Sequence, residues 1–259
     1  MQLEYDRGPT ERFLQHFARL PDHSPHRDLF WYDWGPVFYR GKLNGRARVL
    51  CVASDPGPTE RVAGRTLVGD AGQRVQGFLS KLGITRSYVC LNAFVYALHP
   101  SCSAEAEALL GDEAHLEWRN RLFSMVAGPD LQTVIAFGRN AQIAVDLWDP
   151  PTNALVIKTH HPSYRDQRRL LQSWRDAIVQ LRAVVTPDPD GDPSGPNYGN
   201  SFRESDYAPI PKRDLPFGLP EWLGDDSWGR KASPRHNNSV SRPSPDNEHT
   251  LVWIAPDSS

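Results

Sequence analysis

Ala47-Arg-Val-Leu-Cys-Val-Ala-Ser-Asp-Pro-Gly57 is the stretch on which the fold turns. Residues 47–53 form an apolar run short enough for a buried strand, and Ser54-Asp55-Pro56-Gly57 stops it with turn residues. Three further runs repeat the pattern at Tyr88–Asn92, Thr133–Phe137 and Ala154–Thr159, each followed within a few residues by Gly, Pro, Asn or His. Between them, segments 73–83, 104–127, 140–148 and 164–184 carry Leu, Val, Phe and Trp at helical spacing. Strands alternating with helices predict a three-layer α/β/α sandwich around a central, mainly parallel four-stranded sheet. In open sheets of this kind, ligands collect beyond the carboxyl ends of the strands. Those ends are Ser54–Gly57, Asn92-Ala93-Phe94, Gly138-Arg139-Asn140 and His160-His161-Pro162-Ser163, so an Asp, an Asn and a His are expected along one rim.

With 259 residues, 39% hydrophobic composition and 8 Trp, the chain can bury a full core, which excludes a wholly disordered protein. No run approaches the roughly 18 apolar residues that would span a bilayer. The start, Met1-Gln-Leu-Glu-Tyr-Asp, lacks a basic end followed by an apolar stretch, so neither a membrane nor a secreted protein is expected. Cys51, Cys90 and Cys102 form no C-x-x-C pair, which predicts a reducing, cytoplasmic setting without a disulfide framework or a cysteine-built metal site. Net charge is −2, but it is unevenly placed: residues 187–259 hold 7 Lys and Arg against 12 Asp and Glu, and 12 of the 23 prolines. A boundary near 186 follows, with an α/β domain over 1–186 and a Pro-rich acidic tail over 187–259, partly flexible or strapped onto the domain. Within that tail, Leu251-Val252-Trp253-Ile254 reads as an edge strand or a segment for a protein partner that the sequence does not identify.

Val52-Ala-Ser-Asp-Pro-Gly-Pro-Thr-Glu-Arg-Val-Ala-Gly-Arg-Thr-Leu-Val-Gly-Asp-Ala-Gly72 resembles, without a gap, the G-E-A-P-G-x-x-E-x-x-x-G-R-P-F-V-G-x-A-G segment of the iron-sulfur branches of the uracil-DNA glycosylase superfamily. Leu91-Asn92 resembles the strand-end Asn of that family, and His161-Pro162-Ser163 its H-P-S motif. The resemblance runs from about Val49 to Ser173 and implies a uracil-DNA glycosylase-like domain that works on DNA as a monomer. Three departures bear on what carries over. The chain has too few cysteines for a cluster, so no cofactor and no metal are expected. Asp55 stands where the iron-sulfur pattern has Ala, and in the same register it falls on the Asp of the G-Q-D-P-Y motif of other uracil glycosylases. Leu67 occupies the position of a Phe that stacks on the flipped base, which leaves Phe94 or Tyr96 as the stacking ring, or a pocket for a different base.

Cleaving an N-glycosidic bond requires stabilising both the departing base anion and the positive charge on the deoxyribose. By the resemblance Asp55 is the catalytic carboxylate, which would stabilise the sugar cation and orient water. His161, rather than His160, is the catalytic donor to the base oxygen, because it immediately precedes Pro162-Ser163. Asn92 would accept from N3–H and donate to O4 of uracil, and a held amide would reject cytosine; its other reading is a cap on the next turn. Leu67 and Phe94 complete the expected base-binding set. Ser163, Tyr164 and Arg165, with Gly69 at a helix start, are expected on DNA, Tyr164 as a wedge into the vacated stack. Arg168 and Arg169 lie on the opening turns of a helix whose amides favour phosphate. Glu60 reads as a capping or Arg65-pairing residue, and Phe30-Trp31-Tyr32-Asp33-Trp34 as aromatic packing against the sheet. Two neighbouring functions share these motifs: a glycosylase for another damaged or modified base, as in phage defence, and a protein that binds uracil or abasic DNA without turnover.

Overall fold

The computed structural model describes residues 5–149 and 154–219. In chain order its elements are α1 (Glu11–Phe17), β1 (Arg40–Gly41), β2 (Val49–Ala53), α2 (Pro58–Ala63), α3 (Asp70–Lys81), β3 (Tyr88–Asn92), α4 (Ser103–Ala106), α5 (Glu113–Val126), β4 (Thr133–Phe137), α6 (Arg139–Asp146), β5 (Leu155–Thr159) and α7 (Gln167–Arg182). The sheet has the order β1-β3-β2-β4-β5, and β3, β2, β4 and β5 run parallel. No described helix is long and apolar enough to cross a membrane.

The sheet has five strands, not the expected four. The addition is β1, a two-residue antiparallel edge pairing Arg40 with Cys90 and Gly41 with Val89. Its sequence carries no apolar run, since Arg40 is held inside by polar partners: its guanidinium donates to Thr66 O, Gln76 Oε1 and Asp214 Oδ2 at 3.1, 2.8 and 3.2 Å. Gly41 has φ 87, and a Cβ there would stand 2.7 Å from the Tyr88 carbonyl, so only glycine lets this edge approach.

Strands β2, β3 and β4 are buried on both faces, as parallel strands between helix layers must be, and their side chains divide by parity. Val49, Cys51, Cys90, Ile135 and Phe137 face α3 and α7, where Phe78, Leu79, Leu170, Leu171, Trp174 and Ile178 cover them. Leu50, Val52, Leu91, Val134 and Ala136 face α1, α5 and α6, with Phe13, Trp118, Leu122, Phe123 and Ala141. The helical pattern over 104–127 resolves into two helices. A 3₁₀ turn at Glu107–Leu110 and Gly111 break the first, and the Asp112 carboxylate restarts the chain by accepting the His115 amide at 3.3 Å.

Three buried acids bind residues 187–219 to the body. Asp188 Oδ2 accepts the backbone amides of Thr85, Arg86 and Ser87 at 2.8–2.9 Å, while its Oδ1 meets Arg48 at 3.1 Å. Asp206 pairs with Lys81 at 2.8 Å, and Asp214 with Arg40 and the Tyr88 hydroxyl. The strap backbone lies directly on α3, since a Cβ at Gly77 would be 2.1 Å from the Asp206 carbonyl. Segment 251–254 lies outside the described residues. Asp214→Ala leaves a buried guanidinium without its charge partner and is expected to cost about 3 kcal/mol. Asp146→Ala removes a half-exposed partner of Lys158 and should cost under about 1 kcal/mol. Urea unfolding of the two variants checks the contrast, and equal losses would refute it.

Candidate active site

Four strand ends meet at one rim, and the hydrogen bonds that continue the ladder show how. Ala53 and Asn92 are partners in register on β2 and β3. The Ala93 and Phe94 amides then donate to the Ala53 and Ser54 carbonyls at 2.8 and 2.9 Å, carrying the pairing past the strands. From the other side, Asn140, in the first turn of α6, donates from Nδ2 to Ser54 Oγ at 2.9 Å. Gly138, just before it, lies so close to the last loop that a Cβ would stand 2.8 Å from His161 Cβ. Asn92, Asp55 and His161 thus occupy a contiguous rim. His161 lies beyond β5, two strands from β2, or about 10 Å at the usual strand spacing.

Asp55 is held rather than free. Its Oδ2 accepts the Leu98 amide at 3.0 Å, and the Ser54 hydroxyl bonds to the same carboxyl. Burial pushes its pKa above the ordinary carboxylate range, and those two hydrogen bonds pull it back in part. Asn140, Ser54 and Asp55 therefore form a relay that fixes the carboxylate's direction. The Leu98 amide and the Asn140 end of that relay escape sequence reading, because both partners are distant in the chain. The Gly138-Arg139-Asn140 rim segment was the one available signal.

Asn92 presents a different state. It is 4% exposed, and neither its Oδ1 nor its Nδ2 has a hydrogen-bond partner within the protein. A buried, unpaired amide costs about 1–3 kcal/mol per group, which a ligand offering a complementary donor and acceptor would recover. The reading as a turn cap is set aside, since a cap would show a bond to backbone. The expected held orientation is also missing, as no hydrogen bond fixes the amide one way round.

His161 Nδ1 accepts the Ser163 amide at 3.2 Å, which leaves the ring proton on Nε2 as a donor. Burial, reinforced by the nearby Arg74 cation, lowers its pKa to about 4, so the ring is neutral at physiological pH. Arg74 also clamps the loop, donating to the Pro162 carbonyl at 2.6 Å while pairing with Asp70 at 2.9 Å. Because the folded value lies below the ordinary value of about 6.5, protonation opposes folding. The stabilisation is complete above about pH 6.5 and is lost as pH falls through about 4. NMR titration should place the His161 midpoint near 4 with the Nε2–H form at neutrality; a midpoint near 6.5 would contradict the burial argument.

Other expected residues fall differently. Leu67 is buried in the apolar cluster beneath α3 and α7, and its φ of 52 makes it the one described non-glycine residue in the left-handed region. Gly72 accommodates it, since a Cβ there would stand 1.8 Å from the Leu67 carbonyl oxygen. Leu67 is thus core rather than a wall for a base. Phe94 is buried against Phe30 at 5.9 Å, and Tyr96 stacks on Tyr32 at 5.0 Å, so both rings are engaged within the protein. Gly69 is a correction: it is buried, and its amide is spent on Glu60 Oε1 at 2.9 Å, so it offers no donor to a phosphate. Glu60 is structural, as expected, but it pairs with amides rather than Arg65, accepting those of Gly57, Val68 and Gly69. Arg65 instead meets Asp6 at 2.6 Å.

Ser163 and Arg165 are exposed beside His161. Tyr164 is partly exposed and stacks on His160 at 4.2 Å. The start of α7 is occupied by the chain's own acid: Asp166 accepts the Arg169 amide at 3.0 Å and meets its guanidinium at 3.3 Å, which weakens the case for phosphate there. Among the described residues, no group of three or more His, Cys, Asp or Glu is arranged to hold a metal ion. A family model described as the uracil DNA glycosylase superfamily matches residues 40–181. No curated protein gives a significant match.

Proposed function

Because this chain belongs to the uracil DNA glycosylase superfamily, we propose that it is a hydrolase that cleaves the N-glycosidic bond of uracil flipped out of DNA, as the first step of base-excision repair. The single observation that carries the reading is the buried Asn92 carboxamide with both its donor and its acceptor unpaired, on the same rim as Asp55 and His161. A uracil edge offers the matching N3–H and O4. In this reading Asp55 faces the anomeric carbon, and its raised pKa makes it a better acceptor for a water proton than an ordinary aspartate. The neutral His161 donates from Nε2 to the O2 of the leaving base as negative charge gathers there. Ser163, Tyr164 and Arg165 would receive the backbone around the flipped nucleotide.

Removal of a different, bulkier base is the second reading, favoured by Phe94 and Tyr96, whose rings are engaged on Phe30 and Tyr32 and supply no aromatic wall for a base. The wild type on a mixed panel separates the two, and Asn92→Asp tests the carboxamide. A carboxylate accepts from the N4 amine of cytosine but cannot serve O4 of uracil while ionised, so uracil release should fall at least tenfold and cytosine release should appear, in line with about 1–3 kcal/mol for a lost buried pair. The check is mass analysis of bases freed from a mixed panel of uracil, cytosine and modified-base duplexes. Unchanged uracil release by the variant would remove Asn92 from the site. Release of only a modified base by the wild type would establish the second reading.

A further inference from the structure

Beside the candidate site, residues 29–34 lie along 95–99. The Trp31 amide donates to the Ala97 carbonyl at 2.8 Å and the His99 amide to the Leu29 carbonyl at 2.9 Å. Phe30 is buried there as sequence reasoning expects, but Trp31 turns outward with 43% of its surface exposed, where an indole would ordinarily be covered. Its ring stacks on Trp34 at 5.4 Å and 15°, and His99 tilts against it at 4.1 Å. Arg61, exposed on α2, lies over the Trp34 ring at 5.2 Å. This group is continuous with the site. His99 follows Leu98, whose amide holds Asp55, and α2 opens immediately after Asp55-Pro56-Gly57.

We propose that Trp31, Trp34, His99 and Arg61 form a stacking platform for an unpaired nucleobase next to the flipped one, so that the protein prefers uracil in single-stranded or opened DNA. A row of π faces with a guanidinium beside it is the arrangement that holds unpaired strands: bases stack on the rings whatever their identity, and the cation meets the backbone. Charge supports this occupant over an apolar protein segment: Arg61 lies over the Trp34 ring, and Asp33, the acid between the two indoles, is paired with Arg27 at 3.8 Å. The inference rests on the DNA-glycosylase reading for its placement but makes a separate prediction about strand state.

The test compares wild type, Trp31→Ala and Trp31→Phe in binding a single-stranded oligonucleotide that carries a central 2′-fluoro-2′-deoxyuridine, which resists cleavage. Trp31→Ala should weaken binding about tenfold and Trp31→Phe, which keeps a π face, about threefold or less. Replacing the neighbouring nucleotides one at a time with abasic spacers should weaken wild type about tenfold at one position while leaving Trp31→Ala unchanged there. In a fully paired duplex, where the neighbouring base is already stacked, the substitution should cost less than about threefold. Equal binding by wild type and Trp31→Ala, or equal losses for both at every spacer position, would overturn the platform and leave the surface to a protein partner. Uracil release measured in parallel keeps the two readings apart. Trp31-dependent binding without release would sink the glycosylase reading alone, and release with no Trp31 dependence would sink the platform alone. Absence of any oligonucleotide binding would overturn both.

Discussion

Asp55→Asn lowers base release by about 10²–10⁴-fold, the span typical of losing a positioned acid or base group. The amide matches the carboxylate in size, and its oxygen can still accept the Leu98 amide, so packing around the relay from Asn140 through Ser54 should survive. What disappears is the negative charge that would face the sugar cation and the ability to take a proton from water. Binding should be retained or slightly improved, because an anion near the phosphodiester backbone is removed. The separation of turnover from affinity is the diagnostic part, read from single-turnover rates beside anisotropy titrations. A variant with nearly wild-type turnover would mean that Asp55 is a structural acceptor for Leu98 and nothing more.

His161→Ala should cost about 2.7–4 kcal/mol of barrier, as for loss of one oxyanion-type donor, or about 10²–10³-fold in rate. The size follows from timing: a neutral Nε2–H donor strengthens as the base oxygen gains charge and does little before that. His161→Asn, which restores an N–H donor, should recover part of the loss. The pH profile supplies an independent sign. With the folded-state value near 4, His161 should contribute no inflection near the ordinary histidine value, and its limb should lie near pH 4. A limb at about 6.5 that His161→Asn abolishes would mean that the ring is not buried as described.

Much of this arrangement is legible in the sequence, because parallel sheets place their chemistry at chain positions that turn residues mark. Ser54-Asp55-Pro56-Gly57 follows the buried strand β2 and His161-Pro162-Ser163 the half-buried edge strand β5, and the apolar runs before them fix the layers. The edge strand Arg40–Gly41 is invisible because two residues with a charged side chain carry no period, and it exists through hydrogen bonds to distant Thr66, Gln76 and Asp214. The same limit hides the Asn140–Ser54 bond, the Arg74 clamp on Pro162 and the three buried acids that bind the strap. Leu67 misleads for the opposite reason. Its position in a motif suggests a wall beside the base, whereas its left-handed backbone and the close approach of Gly72 direct it into the core.

The claim at the centre is that this rim hydrolyses a glycosidic bond. Mass analysis of wild-type protein with an excess of single uracil-containing strands tests it most directly. Free uracil should appear in amounts exceeding the protein, matched by strands carrying an abasic site. Strands left intact, even if tightly bound, would contradict it.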